Sequence, residues 1–218
     1  MRRRKKPGSK ERLLSFKEYI TEHPQAYRGA WGGKWFGNDN PIHLELGAGR
    51  AKFSVELAKR NPDINFIAIE RKEEVLVYGA KMAHELGLTN IAFGWFDIMN
   101  IEEVFAPMEI NQIYLNFSDP WPKNRHLKRR LTYRGFLKHY ANITAPGSWV
   151  HFKTDNSILF EFTLNETAEL RLRQQAITLD LHGRGNTSDI VTTDYEDKYV
   201  ANGLNIYRME FDLDGLRD

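Results

Sequence analysis

The sequence contains no cysteine. This absence excludes disulfide bonds, thiolate nucleophiles and cysteine-liganded zinc sites, and it is typical of a chain that works in a reducing compartment. Long hydrophobic runs are also missing, since no stretch approaches the roughly 18 apolar residues that a membrane span needs. The N-terminal cations are not followed by the apolar segment of a secretory signal. We therefore predict a cytoplasmic protein with no membrane partner.

Metal-ligand spacing is absent as well, because the seven histidines are scattered along the chain. No metal site is predicted.

With 218 residues the chain has the length of one domain. We predict a basic N-terminal arm with short helices over residues 1–34 and a single domain over residues 35–218. The sequence leaves open whether the protein is a monomer or a homodimer.

Positive charge is unevenly distributed, although the net charge is only +2. Five of the first six residues are Arg or Lys, and four more cations lie between Arg125 and Arg130. Such clusters are typical of proteins that bind a polyanion. Each cluster taken alone is also compatible with a solvated surface.

The apolar pattern from His43 onward alternates between short strands and helical periodicity, which predicts an α/β fold with a doubly wound, mostly parallel sheet. Near the C-terminus, residues 170–181 and 205–213 are both strand-like, with no helical pattern between them. We expect them to form an antiparallel hairpin at one edge of the sheet. Residues 183–203, which connect them, are predicted to be a functional loop because long irregular loops are uncommon in compact domains. The five earlier strands are predicted at 42–46, 65–70, 91–97, 112–117 and 148–154.

A small-molecule pocket is predicted at the carboxyl edge of this sheet. Gly47 and Gly49 follow the first strand and let the backbone approach a ligand closely. Glu45 precedes them, and Glu70 ends the second strand, where it is placed to accept hydrogen bonds from ribose hydroxyls. Asp97 adds an acceptor after the third strand. These residues indicate a nucleoside-type ligand.

The identity of that ligand depends on charge and on one packing position. A dinucleotide site requires a small residue three positions after Gly49, where this chain has Lys52. Carboxylates beside a diphosphate would also repel it. S-adenosylmethionine carries an amino group, a sulfonium, ribose hydroxyls and an adenine amine, and these groups suit an acidic pocket. It is the predicted cofactor.

The stretch Y-L-N-F-S-D-P-W-P-K, residues 114–123, leads from the fourth strand into a segment stiffened by two prolines. Asp119 is expected to face the reactive end of the cofactor, because the fourth strand lies beside the first. Residues 118–121 are expected to be extended. Trp121 then offers a face on which a base can stack, and Lys123 and the cluster after it are placed to bind phosphates.

In these residues the chain resembles the bacterial transfer RNA (guanine-N7-)-methyltransferases from about Trp35 to the C-terminus. The motifs that carry the resemblance are E-L-G-A-G (45–49), A-I-E (68–70), N-F-S-D-P-W-P-K (116–123), R-H-L-K-R-R (125–130), K-T-D (153–155) and T-D-Y-E (193–196). The resemblance implies a class I S-adenosylmethionine-dependent methyltransferase (Rossmann-like) fold. It also implies methyl transfer to N7 of a guanosine in the variable loop of tRNA.

The resemblance further implies roles for individual residues. Glu45, Glu70, Asp97 and Asp119 would bind S-adenosylmethionine, and Asp119 would also be the catalytic residue. The tRNA-contacting cluster would comprise Arg125, His126, Lys128, Arg129 and Arg130. The other substrate-binding residues would be Lys123, Asp155, Thr193, Tyr195 and Glu196.

Other functions stay open on the sequence. A methyltransferase acting on another RNA or on a small molecule would share the Glu45 to Glu70 half of the pocket. An NAD-dependent dehydrogenase would share the sheet, but Lys52 argues against it. A non-catalytic RNA-binding subunit would have no need for acids at successive strand ends.

Overall fold

The computed structural model of the chain describes residues 8–183 and 189–217. Within them the chain forms a seven-stranded sheet with helices on both faces. The cationic residues 2–6 lie outside the described residues. The strands are β1 (Ile42–Leu46), β2 (Asn65–Ile69), β3 (Ile91–Gly94), β4 (Ile110–Asn116), β5 (Thr144–Thr154), β6 (Gln174–Thr178) and β7 (Tyr207–Asp212). The helices are α1 (Ser9–Leu14), α2 (Lys52–Arg60), α3 (Glu73–Glu85), α4 (Ile101–Val104), α5 (Arg134–Ile143), α6 (Ser157–Glu169) and α7 (Asp194–Ala201).

The strand order confirms the predicted fold class. The sheet runs β3-β2-β1-β4-β5-β7-β6. β1 to β5 pair in parallel, while β7 pairs antiparallel with β5 on one side and with β6 on the other. The predicted C-terminal antiparallel hairpin is therefore present, with β6 as the edge strand. Because the carboxyl ends of β1, β2 and β4 meet at one edge, the sheet order brings the predicted pocket residues to the same side.

Strands β1, β2 and β3 are buried on both faces, as expected for parallel strands covered by crossover helices. In β2, alternate residues point to opposite faces. Ile67 and Ile69 belong to the core under α5 and α6, whereas Phe66 and Ala68 belong to the core under α2 and α3. A strand of this kind has no polar face, which explains the continuous apolar run in its sequence.

The described part of the predicted N-terminal arm packs against the rest of the chain. α1 lies on α3, and Leu13 is fully buried there. Tyr19 accepts a backbone hydrogen bond from Phe93 of β3 at 2.8 Å. Trp31 is also buried and donates its ring N–H to the Val104 carbonyl. The division of the chain at residues 34 and 35 stays a prediction.

Three helices, α4, α6 and α7, were not predicted from the sequence. α4 follows β3, α6 follows β5, and α7 lies inside the stretch 183–203, which was predicted to be a functional loop with no helical pattern. The absence of a helix was wrong for residues 194–201, residues 184–188 of the stretch lie outside the described residues, and the functional role of the stretch stays a prediction. Pro146 and Gly147 lie within β5, where the chain bulges between Thr144, which pairs with Ile110, and Trp149, which pairs with Gln112.

Within the described part of the chain, no helix combines the length and the apolar character that crossing a membrane requires.

Candidate active site

The glycine-containing turn after β1 forms the floor of a cleft. Gly47 and Gly49 both adopt the left-handed backbone region, with φ of 75° and 56°, which explains why these positions favour glycine. A Cβ on Gly49 would meet no atom within 4 Å, so its position faces open space. The turn is held to the sheet because the backbone N–H groups of Gly47 and Ala48 both donate to the Ile69 carbonyl at 2.9 Å.

The cleft has a volume of about 320 Å³ and lies between this turn, the end of β4 and the start of α7. It brings together five of the predicted site residues, which come from two distant parts of the sequence. These are Glu45, Gly47, Gly49, Thr193 and Tyr195. Its lining also includes residues that the sequence did not single out. Among these are Asn116, Phe117, Asp194 and Lys198.

Glu45 is buried beneath the cleft, with 3% of its surface exposed. Its Oε2 accepts a hydrogen bond from the Ser54 hydroxyl at 2.6 Å, and its Oε1 accepts one from Asn116 Nδ2 at 3.0 Å. Burial raises the pKa of Glu45, while these two hydrogen bonds and the charge of Lys153 oppose the shift. Asn116 Oδ1 is itself buried and has no hydrogen-bond partner among the described residues.

Glu70 and Asp97 lie at the same edge of the sheet but do not line this cleft. Glu70 Oε2 accepts a hydrogen bond from the Gly49 N–H at 3.1 Å, so its carboxylate also supports the glycine turn. Asp97 begins a short 3-10 turn, and its Oδ1 accepts a hydrogen bond from the Met99 N–H at 3.1 Å. Both carboxylates keep part of their surface exposed.

The segment after β4 differs from the prediction in shape. β4 ends at Asn116, three residues before Asp119, and Asp119 is exposed. Trp121 has a φ of 43°, in the left-handed region, so the prediction that residues 118–121 are extended is wrong at Trp121. Phe117, just before this stretch, has a φ of 52°. One face of the Trp121 ring is covered by the Arg129 guanidinium, which lies 4.9 Å from the ring centroid.

The cationic cluster that follows forms a 3-10 turn over Asn124–Arg129. Lys123, Arg125, Lys128 and Arg129 are exposed, and His126 is half-buried. Arg130 differs from the others because only 3% of its surface is exposed. Its guanidinium donates hydrogen bonds to the carbonyls of Pro120 and Trp121 at 2.9 and 3.3 Å. Arg130 therefore braces the loop that contains Pro120 and Trp121. Its burial does not fit the prediction that it contacts RNA.

α7 supplies the opposite wall of the cleft. Thr193 caps this helix in a capping box, because its hydroxyl accepts from the Glu196 N–H while the Glu196 carboxylate accepts from the Thr193 N–H. Tyr195 is 44% exposed, and its hydroxyl donates to Asp155 at 3.3 Å. The structure thus brings Tyr195 and Asp155, predicted from two separate motifs, into contact.

Glu196 does not face the cleft. Its side chain is fully buried, with Oε2 2.6 Å from Lys153 Nζ and Oε1 2.8 Å from His182 Nε2. The prediction that Glu196 binds substrate does not fit this position, because no surface of its carboxylate is available to RNA. It holds α7 in place instead.

Comparison with known proteins decides the family. A family model described as "Putative methyltransferase" matches residues 39–209. A curated protein of Clostridioides difficile (strain 630), named tRNA (guanine-N(7)-)-methyltransferase, is 49% identical over 211 residues, which cover 96% of this chain and 98% of that protein. The chain belongs to the tRNA (guanine-N(7)-)-methyltransferase family. A Bacillus subtilis (strain 168) protein of the same name is 43% identical over 96% of this chain and 98% of its own length.

Family membership confirms the resemblance that the motifs indicated. Solved structures support the fold at lower identity. An "antibiotic related Methyltransferase" aligns with a TM-score of 0.60 and 17% identity over 81% of this chain and 88% of its own. A 16S rRNA (adenine(1408)-N(1))-methyltransferase from Catenulisporales acidiphilia, solved with its cosubstrate SAM, aligns with a TM-score of 0.57 and 13% identity over 91% and 90%.

Two lysines position the cleft wall in this member of the tRNA (guanine-N(7)-)-methyltransferase family, and neither was predicted to do so. Lys52 Nζ, at the start of α2, lies 2.5 Å from Asp197 of α7. Lys153, on β5, pairs with Glu196.

The T-D-Y-E motif matches the capping-box pattern that begins a helix, so this signal could have located α7 from the sequence.

Among the described residues, no group of three or more His, Asp or Glu side chains is arranged to hold a metal ion.

Proposed function

We propose that this chain transfers a methyl group from S-adenosylmethionine to N7 of a guanosine in the variable loop of tRNA. The observation that carries the proposal is that curated relatives named tRNA (guanine-N(7)-)-methyltransferase are 42–49% identical over 96% of the chain. Their names do not favour the alternative of another RNA or a small-molecule substrate.

The residues of the cleft fit this cofactor. Asn116 Oδ1 is a buried acceptor without a partner among the described residues, and it suits a ligand rich in N–H and O–H donors. The open space above Gly49 lets a ligand approach the backbone. Glu70 and Asp97, at the same edge of the sheet but outside the cleft lining, would accept hydrogen bonds from the nucleoside part, and Glu45 places a carboxyl group beneath the cleft. When bound, S-adenosylmethionine supplies an electrophilic methyl group on a positively charged sulfur.

The nucleophile requires no general base, because guanine N7 carries an unshared electron pair and no proton. The chain must therefore supply alignment, which is the proximity effect. Asp119 is exposed next to the end of β4, where its carboxylate would accept hydrogen bonds from the N1 and N2 donors of the guanine. A fixed negative charge there also offsets the positive charge that develops on the purine.

The substrate would be held by two groups of residues on either side of Asp119. Lys123, Arg125, Lys128 and Arg129 are exposed and would bind phosphates. Tyr195 and Asp155, joined by a hydrogen bond, would contact the nucleotide next to the cleft. Thr193 lines the cleft beside them.

The test is transfer of labelled methyl from S-adenosylmethionine to an unmodified tRNA transcript, followed by borohydride reduction and aniline cleavage at N7-methylguanosine. We expect strand scission at one guanosine of the variable loop. Label incorporated without scission, or scission at a guanosine elsewhere, would overturn the assignment of atom or position. Absence of label from every tRNA tested would overturn the proposed substrate.

A further inference from the structure

We propose that Glu45 acts through Asn116: the buried carboxylate orients the Asn116 amide so that Oδ1 faces the cleft and accepts a hydrogen bond from the ammonium group of the cofactor's methionine moiety. The identity of the ligand rests on the proposed function. Asn116 is then the residue that binds the cofactor's amino group, and Glu45 is a positioning residue.

The orientation of the amide follows from hydrogen-bond chemistry. The two oxygens of Glu45 accept hydrogen bonds from different donors, and the donor to Oε1 is the NH₂ group of Asn116 at 3.0 Å. The Ser54 hydroxyl donates to the other oxygen of Glu45 at 2.6 Å and fixes the carboxylate from the opposite side. The amide oxygen of Asn116 is consequently turned away from Glu45.

Asn116 Oδ1 is the unusual atom in this group. Only 7% of the residue is exposed, yet this oxygen has no hydrogen-bond partner among the described residues. Asn116 lines the cleft beside Gly47 and Gly49. A buried acceptor at a ligand cleft is stabilised when the ligand donates to it, and a charged donor forms the stronger bond.

Sheet order indicates which cofactor donor lies there. Asp97 follows β3, Glu70 follows β2 and Asn116 ends β4 beyond β1, in the spatial order β3-β2-β1-β4. A ligand with its adenine near Asp97 and its ribose near Glu70 has its methionine end at β1 and β4. The donor at that end is the α-ammonium group, and it matches the free oxygen of Asn116.

The test compares a ligand that carries this donor with one that lacks the part of the molecule to which the donor belongs. S-adenosylhomocysteine has the ammonium group, whereas 5′-methylthioadenosine lacks the whole amino-acid portion. We expect calorimetry to show that Asn116→Ala weakens binding of S-adenosylhomocysteine by about 10- to 150-fold and changes binding of 5′-methylthioadenosine less than about twofold. Glu45→Gln should give the same selective loss, since its amide group can donate to Asn116 and turn Oδ1 inward.

A double variant tells whether Glu45 acts through Asn116 or whether the two residues affect cofactor binding independently. We expect the Glu45→Gln/Asn116→Ala double variant to bind S-adenosylhomocysteine no more weakly than Asn116→Ala alone. Additive losses of affinity in the double variant would contradict the proposal that Glu45 acts through Asn116. Equal loss for both ligands in folded variants would show a damaged cleft, and no loss for either would remove Asn116 from the cofactor site.

Asn142→Ala is the matched control, because Asn142 also donates to a carboxylate, Glu102 at 3.1 Å, but does not line the cleft.

If a variant at Glu45 or Asn116 does not fold, nuclear magnetic resonance on the unchanged protein tests the proposal instead. The Asn116 side-chain amide signal should move with S-adenosylhomocysteine and not with 5′-methylthioadenosine, and a response to both or to neither would overturn the inference. Failure of the unchanged protein to bind S-adenosylhomocysteine would instead contradict the proposed function.

Discussion

The ammonium group of Lys153 lies 2.6 Å from a carboxylate oxygen of Glu196, and both side chains are buried. Lys153 comes from β5 and Glu196 from α7, so the pair ties the cleft wall to the sheet. Lys153 also donates to the Val191 carbonyl at 3.1 Å. Burial lowers the pKa of Lys153, and the attraction of Glu196 opposes this shift.

Replacing Lys153 with Met should destabilise the protein, because Glu196 would keep its buried charge without its closest cation. Removing one partner of a buried ion pair costs about 3 to 5 kcal/mol. Urea unfolding measures the change. The control is Lys81→Ala, which removes an exposed pair with Glu85 and should cost less than about 1 kcal/mol. Equal stability of Lys153→Met and the unchanged protein would show that the pair does not hold α7.

Arg129 and Arg130 are neighbours in sequence, yet their replacement should have different effects. Arg129→Ala removes an exposed cation. It should make the slope of log binding constant against log salt concentration shallower by roughly 0.7 to 0.9 for each lost phosphate contact. Arg130→Ala removes two hydrogen bonds to loop carbonyls and should lower stability by about 1 to 3 kcal/mol. Filter binding over a salt series and urea unfolding measure the two effects. Identical behaviour of the two variants would contradict the distinction.

Asp119→Ala should slow methyl transfer without unfolding the protein, because Asp119 is exposed. Loss of a charge-assisted hydrogen bond corresponds to roughly 1.5 to 3 kcal/mol, or about a 10- to 150-fold lower rate. Single-turnover transfer of labelled methyl to tRNA measures it, with the exposed Asp39→Ala as control. Near-normal turnover by Asp119→Ala would remove this carboxylate from the mechanism.

Stability should fall below neutral pH because of His43, which packs between Phe66 and Tyr114. Burial, with a smaller contribution from the charge of His151, lowers the pKa of His43 to about 4. Between pH 6.5 and 4 the unfolded chain therefore binds a proton that the folded chain does not. Stability is lost as the pH falls through this window, by at most about 1.4 kcal/mol per pH unit.

His43→Gln removes this titration and should give a shallower fall in stability between pH 6.5 and pH 5, measured by urea unfolding at several pH values. His23→Gln, at an exposed histidine, is the control and should keep the original slope. The same slope in His43→Gln as in the unchanged protein would assign the pH dependence to other groups.

The sheet and the glycine turn could be predicted from the sequence because their signals are local. Short apolar runs that alternate with helical periodicity indicated the parallel strands, and Gly47 and Gly49 indicated the turn. α7 was not predicted because its buried residue is Glu196, a charged side chain whose burial depends on Lys153, far away in the sequence. No apolar periodicity could reveal a helix that is anchored in this way.

The candidate site shows the same limit. Glu45 was singled out by its place before the glycine turn, but its partner Asn116 is 71 residues away and its role depends on a hydrogen bond. Arg130 could not be told apart from Arg129 within one cationic run, because its burial follows from the carbonyls of Pro120 and Trp121. Contacts of this kind appear only once the chain is folded.

The central claim is that N7 of a tRNA guanosine accepts the methyl group. Its most direct test is methyl transfer to two tRNA transcripts that differ in one atom, with guanosine or 7-deazaguanosine at the position located by aniline cleavage. We predict incorporation of labelled methyl into the guanosine transcript and none into the 7-deazaguanosine transcript. Equal incorporation into both would show that the methyl group is attached elsewhere and would contradict the proposed reaction.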